Sequence, residues 1–188
     1  MDAIDQVWRQ IETVLRLHVL ATGPQLASGA SERAIEQLES VLGVALPEDF
    51  RASYRRHDGG FTMRLASHME ILPLERIAET WQILEELLHD DEWARQPPYY
   101  FREEVVRSGW QAGPIQPIWW HRRWIPFGTD SAGNLSCLDL APAPGGTAGQ
   151  IIDWDHECGP SRVLFPGFWH LLAALADQIE RGTDNQDD

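Results

Sequence analysis

Two short stretches hold the residue types that enzymes use. In Ile125–Leu140, IPFGTDSAGNLSCLDL, Ser131 lies between Gly128 and Gly133, with Asp130 and Asp139 close by. In Asp153–Gly159, DWDHECG, His156 and Cys158 stand among Asp153, Asp155 and Glu157. A serine nucleophile needs G-x-S-x-G on a sharp strand-to-helix turn, and a histidine base steadied by a carboxylate. Ser131 has one residue too many on its N-terminal side, and a second strand pattern follows it instead of a helix. His121 and His156 are available as bases on paper, yet no spacing selects either. A calcium loop needs oxygen ligands at alternating positions and a closing bidentate Glu. Asp130, Asn134 and Asp139 miss that spacing. His156 and Cys158 lack the second His at helical spacing, or the paired CxxC, that a zinc site uses. HDGG and PGGTAG lack the Lys and the spacing of a phosphate loop. These residues therefore predict a hairpin turn and a solvated acidic loop, with no catalytic, cofactor or metal site.

The run IWWHRRW is a different kind of signal. Trp119, Trp120 and Trp124 flank Arg122 and Arg123, a pattern able to stack a base or grip a peptide. The same run suits a junction that closes the core, and that reading is preferred here. A formal charge of −14 argues against a nucleic-acid binder and against adsorption on anionic membranes, since both need clustered basic residues. It fits solubility and attraction to a basic partner. All 15 basic residues are Arg, and Ala, Gly and Pro are abundant, which points to a GC-rich, bacterial genome. Two cysteines with no CxxC spacing imply a reduced, cytoplasmic setting. The polar N-terminus predicts no signal peptide, and no apolar run approaches the ~20 residues of a membrane helix.

The elements that position these residues follow from periodicity. Ile4, Val7, Trp8, Ile11, Val14 and Leu15 mark a helix over about residues 2–20. Ser31 is an N-cap for ERAIEQLESVLG, and Gly43 ends that helix. Pro47 suits a first helical position, before Phe50 and Tyr54 on one face. MEIL reads as a strand at 69–72, followed by a helix over 74–89. Residues 90–114 read as an aromatic-rich insertion. WIPFGT, LSCLDL, GQIIDW and SRVLF read as strands, and PGFWHLLAALADQIERG as a closing helix with Phe168, Leu171, Leu172, Leu175 and Ile179 on one side. Asp139 shares a strand face with Cys137, so if that face is buried it needs hydrogen-bond partners. Residues 1–182 thus form a single α+β domain, a largely antiparallel sheet packed by N-terminal helices and a C-terminal helix. Residues 183–188 read as a disordered acidic tail.

The order of these signals resembles the SUKH superfamily of fungal cell-wall-assembly and glucan-synthesis regulators. The resemblance rests on Trp8, GASERAIEQLESVLGVALPEDFRASYRRHDGG, MEILPLERI, WIPFGTDSAGNLSCLDLAP, GGTAGQIIDW and the closing helix. It departs at residues 90–114, longer than a minimal member, and at LFPGFWHLL, where a small-residue and Ser-Phe entry is the expectation. The resemblance implies a non-enzymatic α+β binding domain. Bacterial members act as immunity proteins against toxins, many of them nucleases, and fungal members as scaffolds of wall synthesis. The leading expectation is an immunity protein that binds a basic toxin domain, contacting it through Asp153, Trp154, Asp155 and Glu157 and touching neither nucleic acid nor membrane. The alternative is a regulator or scaffold of cell-wall (glucan) synthesis.

Overall fold

Ser31 starts a helix because its extended backbone frees the hydroxyl to accept from Ala34 N, at 3.2 Å. Gly43 stops the same helix with φ 67°, and its N–H donates to Glu39 O at 2.8 Å. The computed structural model describes residues 3–18, 26–64, 68–89, 113–130 and 132–184. Its helices are α1 (Ala3–His18), α2 (Glu32–Leu42), α3 (Glu48–Arg56), α4 (Leu74–His89) and α5 (Phe168–Asp184). Pro47 sits one place earlier than expected, at the N-cap of α3, where its ψ of 147° belongs to the extended region. The position suits proline, which has no N–H to lose, and its carbonyl accepts from Arg51 N.

Six strands form one sheet in sequence order: β1 (Phe61–Arg64), β2 (His68–Ile71), β3 (Trp124–Thr129), β4 (Leu135–Asp139), β5 (Gln150–Asp155) and β6 (Gly159–Phe165). Every neighbouring pair is antiparallel. β1 was not expected from the sequence, and β6 begins two residues before SRVLF. The closing helix extends to Asp184, two residues into the segment read as a tail, while residues 185–188 lie outside the described residues. So do residues 90–112, most of the expected insertion, and Ser131.

Strand parity sorts the side chains into two layers. Register puts Ser136, Leu138, Ile151, Asp153 and Arg162 on one face. A bulge between Pro126 and Gly128 turns Phe127 toward that layer's helices, where its ring meets Phe50 of α3 and Phe168 of α5 at 6.1 and 5.2 Å. α1 packs on α3 and α5 through Ile4, Val7, Trp8 and Ile11. The opposite face carries Leu135, Cys137, Ile152 and Trp154. Trp119 and Trp120 fold onto it, with ring centroids 5.1 and 5.8 Å from Trp154. α4 fastens that layer: Trp81 Nε1 donates to Arg122 O at 2.9 Å, and Trp120 Nε1 to Glu85 Oε1 at 3.0 Å. The IWWHRRW run is therefore a core-closing junction, and its three indoles are buried.

Candidate functional site

A cleft of about 250 Å³ opens over the first of these faces, beside β6. Its wall is a row of three residues in register, Ser136 on β4, Asp153 on β5 and Arg162 on β6. Asp153 Oδ2 accepts from Ser161 Oγ at 3.3 Å and faces Arg162 Nε at 3.4 Å. Met69, Leu164, Phe165 and Leu171 supply apolar lining. Met69 fits because position 128 is glycine: a Cβ there would stand 2.5 Å from Met69 Sδ.

The rim is acidic but rigid. Asp130 Oδ1 accepts from Ala132 N and Asn134 N, at 2.8 and 3.1 Å, and Oδ2 accepts from Asn134 Nδ2 at 2.8 Å. Burial pushes the Asp130 carboxyl up, but these hydrogen bonds outweigh it and hold the group below its ordinary value. Asp155 Oδ1 likewise accepts from Glu157 N and Cys158 N, at 2.8 and 2.7 Å. Both are turn-forming contacts, so IPFGTDSAGNLSCLDL is a β-hairpin whose turn Asp130 organises.

The sequence-predicted contact residues do not share one surface. Asp153 and Asp155 are half-buried at the cleft and Glu157 is exposed. Trp154 is 2% exposed, and its Nε1 donates to Trp119 O at 2.6 Å on the opposite face. The expectation that it is a surface aromatic is corrected: alternation along β5 sends it into the core whenever its acidic neighbours face out.

The residues weighed for chemistry are held elsewhere. His156 Nδ1 lies 3.0 Å from Asn134 Oδ1, and His121 Nδ1 accepts from Arg123 N at 3.0 Å. Burial pushes the thiols of Cys137 and Cys158 up, away from thiolate formation. Asp139 is fully buried, and burial raises its carboxyl above the ordinary value. It accepts from Trp124 Nε1, Ala141 N and Gln150 Nε2, which meets the requirement that strand parity set for it. Among the described residues no group of three or more His, Cys, Asp and Glu side chains is placed to hold a metal ion. Among them, too, no helix is long and apolar enough to cross a membrane.

Sequence reasoning passed over Ser136 and Arg162. A polar residue on the Leu138 face of LSCLD was the available signal; which strands meet there is settled only by the register.

The model of the SMI1 / KNR4 family (SUKH-1) matches residues 29–174. The chain belongs to this family. The matched SUKH-1 region runs from the approach to α2 into α5 and contains the whole sheet and the cleft. A KNR4/SMI1 homolog of Debaryomyces hansenii is 27% identical over an alignment covering 97% of this chain and 36% of that protein. The cell wall biosynthesis/cell cycle regulator smi1 of Schizosaccharomyces pombe is 26% identical, with 95% of this chain and 36% of its own length covered. For the cell wall assembly regulator SMI1 of Saccharomyces cerevisiae the identity is 24%, with coverage of 96% and 42%. This SUKH-1 chain thus spans well under half the length of these curated relatives. All three are fungal and the latter two are named as regulators, which supports the wall-regulator expectation over the toxin-immunity one and gives no support to a bacterial origin.

Proposed function

We propose that the chain is a non-enzymatic protein-binding domain that acts in the regulation of cell-wall or glucan synthesis. The family match carries this reading, together with relatives named as cell wall and glucan synthesis regulators. The placement of the buried acids agrees with it: Glu12 and Asp139 are spent on joining elements of the fold. Deleting the gene from its host and measuring wall glucan tests it, alongside crosslinked purification of the chain. The expected result is altered wall glucan and capture of a wall-synthesis or signalling protein. An unchanged wall would overturn the proposal.

A second reading keeps one specific observation. The −14 charge suits competition for a basic surface, such as the groove of a nuclease toxin. Co-expression with a toxin encoded beside the gene discriminates the two. Rescue of growth and a stable complex would favour immunity; no rescue would remove it.

A further inference from the structure

The cleft beside β6 contains a hydroxyl that no described residue engages through its side chain. Among the described residues five polar side chains are buried: Glu12, Ser53, Ser136, Asp139 and Gln150. Four of them are hydrogen-bonded inside the chain, Glu12 with Arg56, Ser53 with Trp8, and Asp139 with Gln150. Ser136 is 2% exposed, borders the cleft, and has no side-chain hydrogen bond to any described residue. Among the described residues the enclosed side-chain polar atom without a partner is Arg51 Nε, so Ser136 Oγ opens into the cleft, where the donor of a further molecule can reach it. Register sets this hydroxyl on the same face as Asp153 and Arg162.

Charge decides what the cleft takes. Asp130, Asp153 and Asp155 border it, against Arg162 as its basic lining residue. Asp130 and Asp155 are engaged by turn N–H groups, whereas the partners of the Asp153 carboxylate among the described residues are Ser161 Oγ at 3.3 Å and Arg162 Nε at 3.4 Å. Arg162 is 56% exposed and free to swing into solvent. A space of about 250 Å³ suits one long side chain rather than a folded segment or a drug-sized ligand. The apolar lining from Phe165, Met69 and Leu171 accepts an aliphatic stem or a flat guanidinium face.

We propose that this cleft receives an arginine side chain of the protein partner, its guanidinium donating to Asp153 and to Ser136 Oγ against Phe165, with Arg162 displaced outward. Arginine fits better than lysine because a planar fork of donors reaches a carboxylate and a neighbouring hydroxyl together. The proposal rests on the protein-binding reading and names what that partner presents.

The test is a titration of the full chain with N-acetyl-arginine N-methylamide, followed by backbone amide NMR. The neutral citrulline analogue is the control, and mutants are compared at constant ionic strength. The expected result is saturable shifts at Asp153, Ser161 and Arg162 with the arginine compound alone. Asp153→Asn should weaken binding about fivefold or more, and Ser136→Ala about twofold to threefold. Arg162→Ala should tighten it about twofold to threefold, because a competing cation has gone. Shifts equal for the citrulline analogue, no saturable shifts at these residues, or an Arg162→Ala chain as impaired as Asp153→Asn would each overturn the proposal. Arg162 is exposed, so its variant folds and the opposite-sign comparison stands. The deletion phenotype judges the wall-regulator reading independently of this titration.

Discussion

Trp124 Nε1 donates to Asp139 Oδ1 at 3.0 Å, and both side chains are fully buried. They stand opposite each other on β3 and β4, so the bond spans the hairpin that the sequence predicts around Ser131 in place of a catalytic loop. Asp139 gathers two more donors, Ala141 N at 2.8 Å on Oδ1 and Gln150 Nε2 at 2.8 Å on Oδ2. It thereby ties β3, β4, β5 and the turn after β4 around one carboxylate.

Removing that carboxylate strands its donors. Asp139→Leu should cost about 3–5 kcal/mol, since buried groups lose their acceptor at once. Asp139→Asn keeps one acceptor oxygen and should cost roughly half as much. Urea denaturation at neutral pH reads both values. The pH dependence has a fixed sign. Burial raises the folded carboxyl above its unfolded value of 3.8, so protonation favours the fold. That contribution is complete below pH 3.8 and is lost as pH rises through the folded value. The Asn variant should lack this component.

Glu12 behaves in the opposite sense. Arg56 donates to both of its oxygens, at 2.7 and 2.8 Å, and His57 Nε2 lies 2.8 Å from Oε1. The Arg56 hydrogen bonds, against the cost of burial and aided by His57, lower the carboxyl from 4.5 to about 2. At ~1.4 kcal/mol per tenfold this corresponds to about 3 kcal/mol. Arg56 is 37% exposed. Solvent screening therefore reduces the contribution to about 2 kcal/mol. It is fully present above pH 4.5 and is lost as pH falls toward 2. Glu12→Gln should destabilise by about that amount at pH 7 and flatten the acid limb of a stability–pH curve. An acid limb unchanged by the substitution would show that Glu12 does not join α1 to α3 in this way.

Two glycines separate steric need from backbone need. Gly43 has φ 67° with open space around it, so Gly43→Ala should cost only about 1 kcal/mol of left-handed strain. At Gly29 a Cβ would meet Arg55 O at 1.7 Å, beside the Ala30 N to Tyr54 O hydrogen bond at 2.8 Å. Gly29→Ala should therefore cost about 3 kcal/mol or more by forcing its segment off α3. Thermal melts of the two variants should differ clearly in midpoint.

Sequence alone carried most of the fold because its punctuation is chemical. Ser31, Gly43 and the Ile35–Leu38–Leu42 stripe fix α2 with local interactions. β1, Phe61 to Arg64, was passed over although it is as long as β2, whose run continues into the apolar Leu72. Trp154 shows a different limit. Asp153, Trp154, Asp155 and Glu157 were grouped as exposed acids with an aromatic, but on a strand consecutive residues face opposite ways, and the indole is core. The cleft was illegible for a related reason. Ser136, Asp153 and Arg162 come from three strands, and only register brings them into one row. Of the three only Asp153 was already suspected, and the other two lay in pairing that no local pattern encodes.

Ser136 supplies the last contrast, between stability and binding. Ser53→Ala would remove the acceptor of Trp8 Nε1, 2.9 Å away, and should cost about 1–2 kcal/mol. Ser136→Ala removes a hydroxyl that opens into the cleft and has no side-chain hydrogen bond to a described residue, so stability should stay within about 0.5 kcal/mol. The same variant should bind the arginine compound less well. Urea midpoints of the two serine variants, taken side by side, check the stability half. A Ser136→Ala loss as large as that of Ser53→Ala would show that the hydroxyl is already satisfied within the chain.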